Sequence, residues 1–253
     1  MLNESEGILI VFDGIDGAGK TTQVNLLDKL LQDSGKSTCR SKEPTNGEWG
    51  QKVRMSARHG RMPIKEELNA FLMDRHYHID KIISPALRAG KIVILDRYYY
   101  STICYQSARG VDIEDLHSIV TSNIIVPDVS FILDVDVDIA QSRIAKRSGH
   151  TNSFEDPHEL RKVRVNYQRI RSENMDNCKY MYKLDASQSI NVLHKAVVEK
   201  LIDTIFYDKM CEKKNGCYDK LNCGFRLTNS CQWFNLRSKF FSKIREVSTN
   251  FIE

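Results

Sequence analysis

An unbroken apolar run, Ile8–Phe12, ends in Asp13, and the next eight residues read Gly14-Ile15-Asp16-Gly17-Ala18-Gly19-Lys20-Thr21. They fit the pattern G-x-x-x-x-G-K-[ST] at every position. An apolar run of this length marks a strand buried on both faces of a parallel sheet. From Lys20 to Ser34, Val24, Leu27, Leu30 and Leu31 fall at helical spacing, with Gly35 suited to close the helix. The glycine string is therefore the turn from a buried strand into a helix. Its glycines let backbone N–H groups aim inward at phosphate oxygens, and the helix start adds its positive end. Lys20 supplies a cation to the β- and γ-phosphates, and the Thr21 hydroxyl is placed to ligand Mg²⁺. Residues Gly14, Ile15, Asp16, Gly17, Ala18, Gly19, Lys20, Thr21 and Thr22 form the expected nucleoside triphosphate cradle.

Further along, Thr38–Ser41 reads as a weak second strand and Ile92–Leu95 as another fully apolar one. Val129–Val135 and Tyr180–Leu184 complete the set. Helical spacing fills the gaps, most clearly over Ile64–Ile83, where Pro85 breaks or restarts the pattern. Helical patterns also run over Ile139–Arg147, Leu160–Met175 and Ile190–Phe206. Strands alternating with helices predict an α/β fold, a three-layer P-loop sandwich around a five-stranded parallel sheet with helices on both faces. That body is expected to occupy residues 1–207.

A P-loop specifies a nucleotide phosphate and leaves the reaction open. No Asn-Lys-x-Asp string is present to read guanine. The third strand instead runs into Asp96-Arg97-Tyr98. An acid at the carboxyl end of a buried strand lies where open α/β sheets bind ligands, so Asp96 is a candidate for Mg²⁺ or its water. Arg97 suits a bidentate grip on phosphate, or equally a structural ion pair at a strand end.

Several motifs in series then resemble the thymidylate kinase family, over about Gly7 to Phe206. Lys42-Glu43-Pro44-Thr45 resembles its segment after strand two, and Phe71-Leu72-Met73-Asp74-Arg75 its F-x-x-D-R helix motif. Asp96-Arg97-Tyr98-Tyr99-Tyr100-Ser101 resembles its D-R-Y-x-x-S signature, with Tyr105-Gln106 and Arg109-Gly110 following. The resemblance implies transfer of the ATP γ-phosphate to dTMP with Mg²⁺, in a homodimer. It puts Phe71 on the acceptor base, where periodicity alone reads core packing as readily. It gives Arg75 a hydrogen bond to that base, Arg97 the acceptor phosphate, Asp16 the acceptor sugar and transfer region, and Tyr105 the space beneath the sugar. Glu43, Ser101, Thr102 and Gln106 complete the expected acceptor site. Lys42 stands where the family usually has arginine, and Thr102 where some relatives have asparagine.

Some family members carry an arginine in the P-loop after the acid; here that position is Gly17. The missing cation is expected from a basic lid at about residues 143–156, with Arg147 delivered over ATP and Arg143 assisting. Closure would also exclude water. A solvated basic helix face accounts for the same charges.

The net charge of +4 is uneven: residues 209–253 hold nine Lys/Arg against four Asp/Glu, which leaves the body near neutral. That excludes a nucleic-acid-coating surface on the body. The 208–253 extension matches nothing in the family. Trp233, Leu236, Phe240, Ile244 and Val247 predict a basic amphipathic helix, packed on the body or a twin subunit, or docking to a membrane or partner protein. Cys211, Cys217, Cys223 and Cys231 lack the close C-x₂₋₄-C pairs of zinc sites. No export signal precedes the first strand, so free thiols in a reducing cytoplasm are expected. Rival readings are a kinase for another pyrimidine nucleotide or a deoxynucleoside, an idle nucleotide-binding module acting through its tail, and a P-loop hydrolase or switch.

Overall fold

The computed structural model describes residues 7–148, 152–172, 178 and 180–206. The chain divides into two compact units, Met1–Ile190 and Asn191–Glu253, and the sheet and the site belong to the first. The predicted tail helix and the four tail cysteines lie outside the described residues.

Five strands form one parallel sheet in the order β2-β3-β1-β4-β5. They are β1 (Ile8–Asp13), β2 (Thr38–Lys42), β3 (Ile92–Asp96), β4 (Val129–Asp134) and β5 (Tyr180–Asp185). All six residues of central β1 are buried, which is why it reads as an unbroken apolar run. Edge strand β2 is at least partly exposed along its whole length, hence its weak sequence signature. Register pairs Phe12 with Asp96 on one side and with Phe131 on the other. The Phe12 and Phe131 rings stack at 5.1 Å; each buried ring of this kind contributes about 2–3 kcal/mol.

Helices α1 (Lys20–Asp33), α2 (Glu48–His59), α3 (Ile64–His78), α4 (Ser84–Arg88), α5 (Tyr99–Ser107), α6 (Ile113–Thr121), α7 (Val137–Ser148) and α8 (Pro157–Ser172) surround this sheet, and α9 (Ile190–Leu201) opens the second unit. The arrangement is the three-layer α/β fold expected. Three details differ from the periodicity. Helix α2 carries no apolar stripe; its buried face is Gly50, Val53 and Ser56. Helix α5 is buried from Tyr99 to Gln106 without a polar face, so no period shows. The long pattern expected over Ile64–Ile83 ends as α-helix at His78 and widens into a π turn, Ile79–Ile83, before α4. Pro85, at the start of α4, has no N–H and crowds the carbonyl four residues back, which disrupts the α ladder there.

Candidate active site

The carboxyl ends of adjacent β1 and β3 deliver the P-loop and Asp96-Arg97 side by side. Gly14, Gly17 and Gly19 take φ of 139°, 79° and 90°, values that favour glycine. A Cβ on Gly17 would lie 2.5 Å from the Ala140 carbonyl oxygen of α7. The close approach of α7 thus leaves no room for an arginine in the P-loop. Ile15 and Ala18 are buried and hold the turn, whereas Thr22 is exposed on the first turn of α1. Lys20 is buried, its Nζ donating to the Ile15 carbonyl at 2.7 Å. Burial and the Arg97 charge push Lys20 down to about 8, against the pull of Asp16, Asp96 and Asp13. The Thr21 hydroxyl donates to Asp96 Oδ2. The two expected metal-binding side chains therefore meet.

Arg97 sits at φ 73°, the left-handed region a non-glycine residue seldom adopts. Its backbone N–H donates to the Phe12 carbonyl at 2.8 Å, which ties β3 to β1 where both strands end. That backbone turn aims the guanidinium back across the P-loop. Nη1 donates to the Gly14 carbonyl at 3.0 Å and to Ser101 Oγ at 2.8 Å, and Nη2 to Asp16 Oδ1 at 2.7 Å. Tyr105 donates its hydroxyl to the other Asp16 oxygen at 3.0 Å. Burial alone would raise the Asp16 carboxyl, but Arg97, Lys20 and the Tyr105 hydroxyl hold it down at about 2. Beneath this pair, buried Asp13 accepts from Ser101 Oγ at 2.5 Å, Tyr167 OH at 2.7 Å and the Tyr98 N–H at 3.0 Å. Asp13 is pushed up by burial, more than Arg97 and these donors hold it down. Ser101, expected to meet the acceptor, lines the cleft and also links Arg97 to Asp13.

A cleft of about 180 Å³ opens beside Arg97 and Asp16, with Phe71, Arg75, Thr102 and Tyr105 in its walls. Consecutive residues of α3 hold the segment after β2. Asp74 accepts from the Thr45 N–H at 2.8 Å and hydroxyl at 2.6 Å. Arg75 donates through Nε at 3.1 Å and Nη2 at 2.6 Å to one Glu43 oxygen, and through Nη2 to Thr102 Oγ1 at 2.9 Å. Its Nη1 is buried with no partner. Burial opposes ionisation of Glu43, but Arg75 and His78 outweigh it and keep the carboxyl below the usual range. Gln106 does not line the cleft; its amide donates to buried Glu67 at 3.1 Å, which also holds Arg61 and Arg109.

The expected lid begins as helix, since α7 continues to Ser148. Arg143 on α7 donates to the Ala186 carbonyl at 2.9 Å and the Gly17 carbonyl at 3.4 Å, a strap from the loop after β5 to the P-loop. Arg147 is largely exposed and pairs with buried Glu155 at 2.9 Å. Phe154 enters the cleft wall, 6.4 Å from the Phe71 ring and 6.0 Å from the Tyr105 ring, under the Arg61 guanidinium. Sequence reasoning missed Phe154 as a cleft residue. It also missed Val53, Arg54 and Ala57, which come from unrecognised α2, and the support from Asp13 and Tyr167. An aromatic directly after a polar loop was the available signal for Phe154. Asp13 carried the same signal as Asp96, an acid at the carboxyl end of a buried strand, whereas Tyr167, within the pattern of α8, gave none.

The family model described as "Thymidylate kinase" matches residues 12–197. A thymidylate kinase of Desulfotalea psychrophila is 38% identical over 199 residues, 78% of this chain and 95% of that protein. That of Akkermansia muciniphila is 44% identical over 152 residues, 60% and 73% of the two chains. That of Brachyspira hyodysenteriae is 34% identical over 205 residues, 81% and 96%. With the phosphate cradle, the Thr21–Asp96 contact and the Arg75–Arg97 cleft behind it, this chain belongs to the thymidylate kinase family.

Proposed function

We propose that the protein phosphorylates dTMP to dTDP, with ATP as donor. The observation that carries this is one cleft holding two arginines with different tasks. Arg97 stands beside the P-loop, and Arg75, whose buried Nη1 has no partner, lines the cleft with Phe71, where a planar base would lie. In the reaction an oxygen of the acceptor 5′-phosphate bonds to the ATP γ-phosphorus as the bond to the β,γ-bridging oxygen breaks, releasing ADP. Such transfer depends on alignment and charge neutralisation. Arg97 would exchange some of its contacts with Asp16, Ser101 and Gly14 for the acceptor phosphate. Lys20 serves the γ-phosphate, and Asp16, kept ionised, orients Arg97 and the Tyr105 hydroxyl. Arg147 would turn from Glu155 toward the transferring group.

Thr21 and Asp96 offer two hard oxygen donors in contact, which fits Mg²⁺; among the described residues no three His, Cys, Asp or Glu cluster for a metal, so phosphate and water would supply the remaining ligands. When bound, Mg²⁺ would be held by Thr21 and Asp96 and would offset phosphate charge during transfer. The family resemblance further supports a homodimer acting in the cytoplasm. Among the described residues no helix is long and apolar enough to cross a membrane.

The test is ADP release measured with dTMP, dUMP, UMP, dCMP and thymidine. dTMP should give the highest kcat/KM, and ATP without acceptor should turn over slowly. A faster reaction with thymidine, or acceptor-independent hydrolysis at full rate, would refute the proposal.

A further inference from the structure

Helix α3 reaches the acceptor cleft through Arg75, and three residues later it places His78 on the same side. His78 is fully buried. Its Nδ1 lies 3.0 Å from Glu43 Oε1, and its Nε2 lies 2.8 Å from Ser41 Oγ. Glu43 Oε2 meanwhile takes both Arg75 bonds. Glu43 is ionised and can only accept, so Nδ1 carries the proton that faces it. In the neutral ring Nε2 then accepts, and the Ser41 hydroxyl is its donor. Ser41 lies near the end of edge strand β2 and Glu43 directly follows the strand, and His78 contacts both. The result is one line: Ser41 to His78 to Glu43 to Arg75, ending on the unpartnered Nη1.

The line has a mechanical consequence. A Glu carboxylate turns about a broad, two-fold terminal torsion. With only Oε2 engaged, the carboxylate could turn and carry the two Arg75 bonds with it, leaving Thr102 as the one remaining tie on the guanidinium. The His78 contact on Oε1 fixes that torsion. We propose that His78, backed by Ser41, is a positioning residue for base selection, fixing Glu43 so that Arg75 presents an N–H donor to a pyrimidine ring carbonyl. A carbonyl accepts that donor; an amino group at the same ring position, as in cytosine, opposes donor to donor. The inference rests on the dTMP kinase reading and adds the two residues, His78 and Ser41, that hold Glu43 and Arg75 in place.

The experiment is steady-state kinetics with dTMP and dCMP on wild type, His78→Leu, His78→Gln and Ser41→Ala, with thermal unfolding of each. A buried hydrogen bond to a charged group is worth enough that His78→Leu should lower the dTMP-over-dCMP ratio of kcat/KM by about tenfold or more. KM for dTMP should rise and KM for ATP should stay. The glutamine amide both donates and accepts, so His78→Gln should restore most of the ratio. Ser41→Ala, at a partly exposed edge position, should fold and lower the ratio about two- to fivefold, one neutral hydrogen bond being lost. An unchanged ratio in Ser41→Ala or His78→Leu overturns the inference, as does an equal fall for both acceptors. If His78→Leu fails to fold, the Ser41→Ala ratio decides alone. Wild type inert toward every pyrimidine monophosphate would instead sink the functional reading itself.

Discussion

Replacing Arg97 by alanine separates the acceptor grip from the rest of the machinery. The guanidinium offers two nitrogens, Nη1 and Nη2, now spread over Gly14, Ser101 and Asp16. Each charge-assisted bond to a bound phosphate is worth about 1.5–3 kcal/mol, so losing two removes about 3–6 kcal/mol. At about 1.4 kcal/mol per decade, kcat/KM for dTMP should fall by about 10²- to 10⁴-fold. The ATP cradle is built from backbone N–H groups, so KM for ATP should move by no more than about threefold. Arg97→Lys keeps the charge without the fork and should recover about tenfold of the loss. Asp16 gives an internal check. Arg97 is the strongest of the groups holding its carboxyl down against burial, so Arg97→Ala should raise that carboxyl above about 2. A coupled ADP-release assay with separate dTMP and ATP titrations reads the kinetics. A loss under tenfold, or equal losses for ATP and dTMP, would refute the assignment.

Further outcomes follow from the same geometry. Nucleotide-free Lys20 titrates near 8 because burial and Arg97 disfavour its charge, and bound phosphates reverse that. ATP binding at pH 8 should therefore take up about half a proton, seen by calorimetry in two buffers of different ionisation enthalpy; none taken up refutes it. The sign follows for stability too: folded Lys20 holds fewer protons than unfolded between about 8 and 10.5, so its burial penalty is present below that window and fades as pH rises through it. Gly17→Ala should destabilise by about 2 kcal/mol or more, from its left-handed φ and the 2.5 Å approach to Ala140, and an unchanged Tm would contradict this. Gly50→Ala places a methyl 2.1 Å from the Thr45 carbonyl, and should cost about 1–3 kcal/mol and raise KM for dTMP; unfolding curves and kinetics check both. Arg147→Ala should cost about 1–3 kcal/mol, because it leaves buried Glu155 Oε1 without that donor, and should lower kcat about 10³-fold; an unchanged kcat removes Arg147 from the mechanism.

The parts of the fold legible in the sequence are those where burial is one-sided or complete over a strand. β1 and β3 showed as apolar runs because both faces are covered, and the P-loop showed because phosphate chemistry fixes residue type at each step. Helix α2 did not show, since Gly50, Val53 and Ser56 are chosen for close approach rather than hydrophobicity. That omission hid Arg54, Val53 and Ala57 in the cleft wall. Gln106 looked like a neighbour of Tyr105 in the site, but a one-residue step turns a helix by about 100°, and that turn carries its amide to Glu67.

The F-x-x-D-R motif shows why a motif reads as one signal while its residues do different work. Phe71 and Arg75 reach the cleft, but Asp74 faces Thr45 and never meets it. Asp74 and Arg75 together hold both sides of Pro44, one through Thr45 and one through Glu43. The same two residues therefore fix the cleft wall and the reading arginine. On the proposed reading, base recognition would need no dedicated loop: the helix that would touch the base also holds the segment after β2 that orients its own Arg75. A change on either side of that contact, Glu43 or Arg75, should thus weaken both the wall and the base contact at once, while Thr102 alone touches only the Nη2 edge.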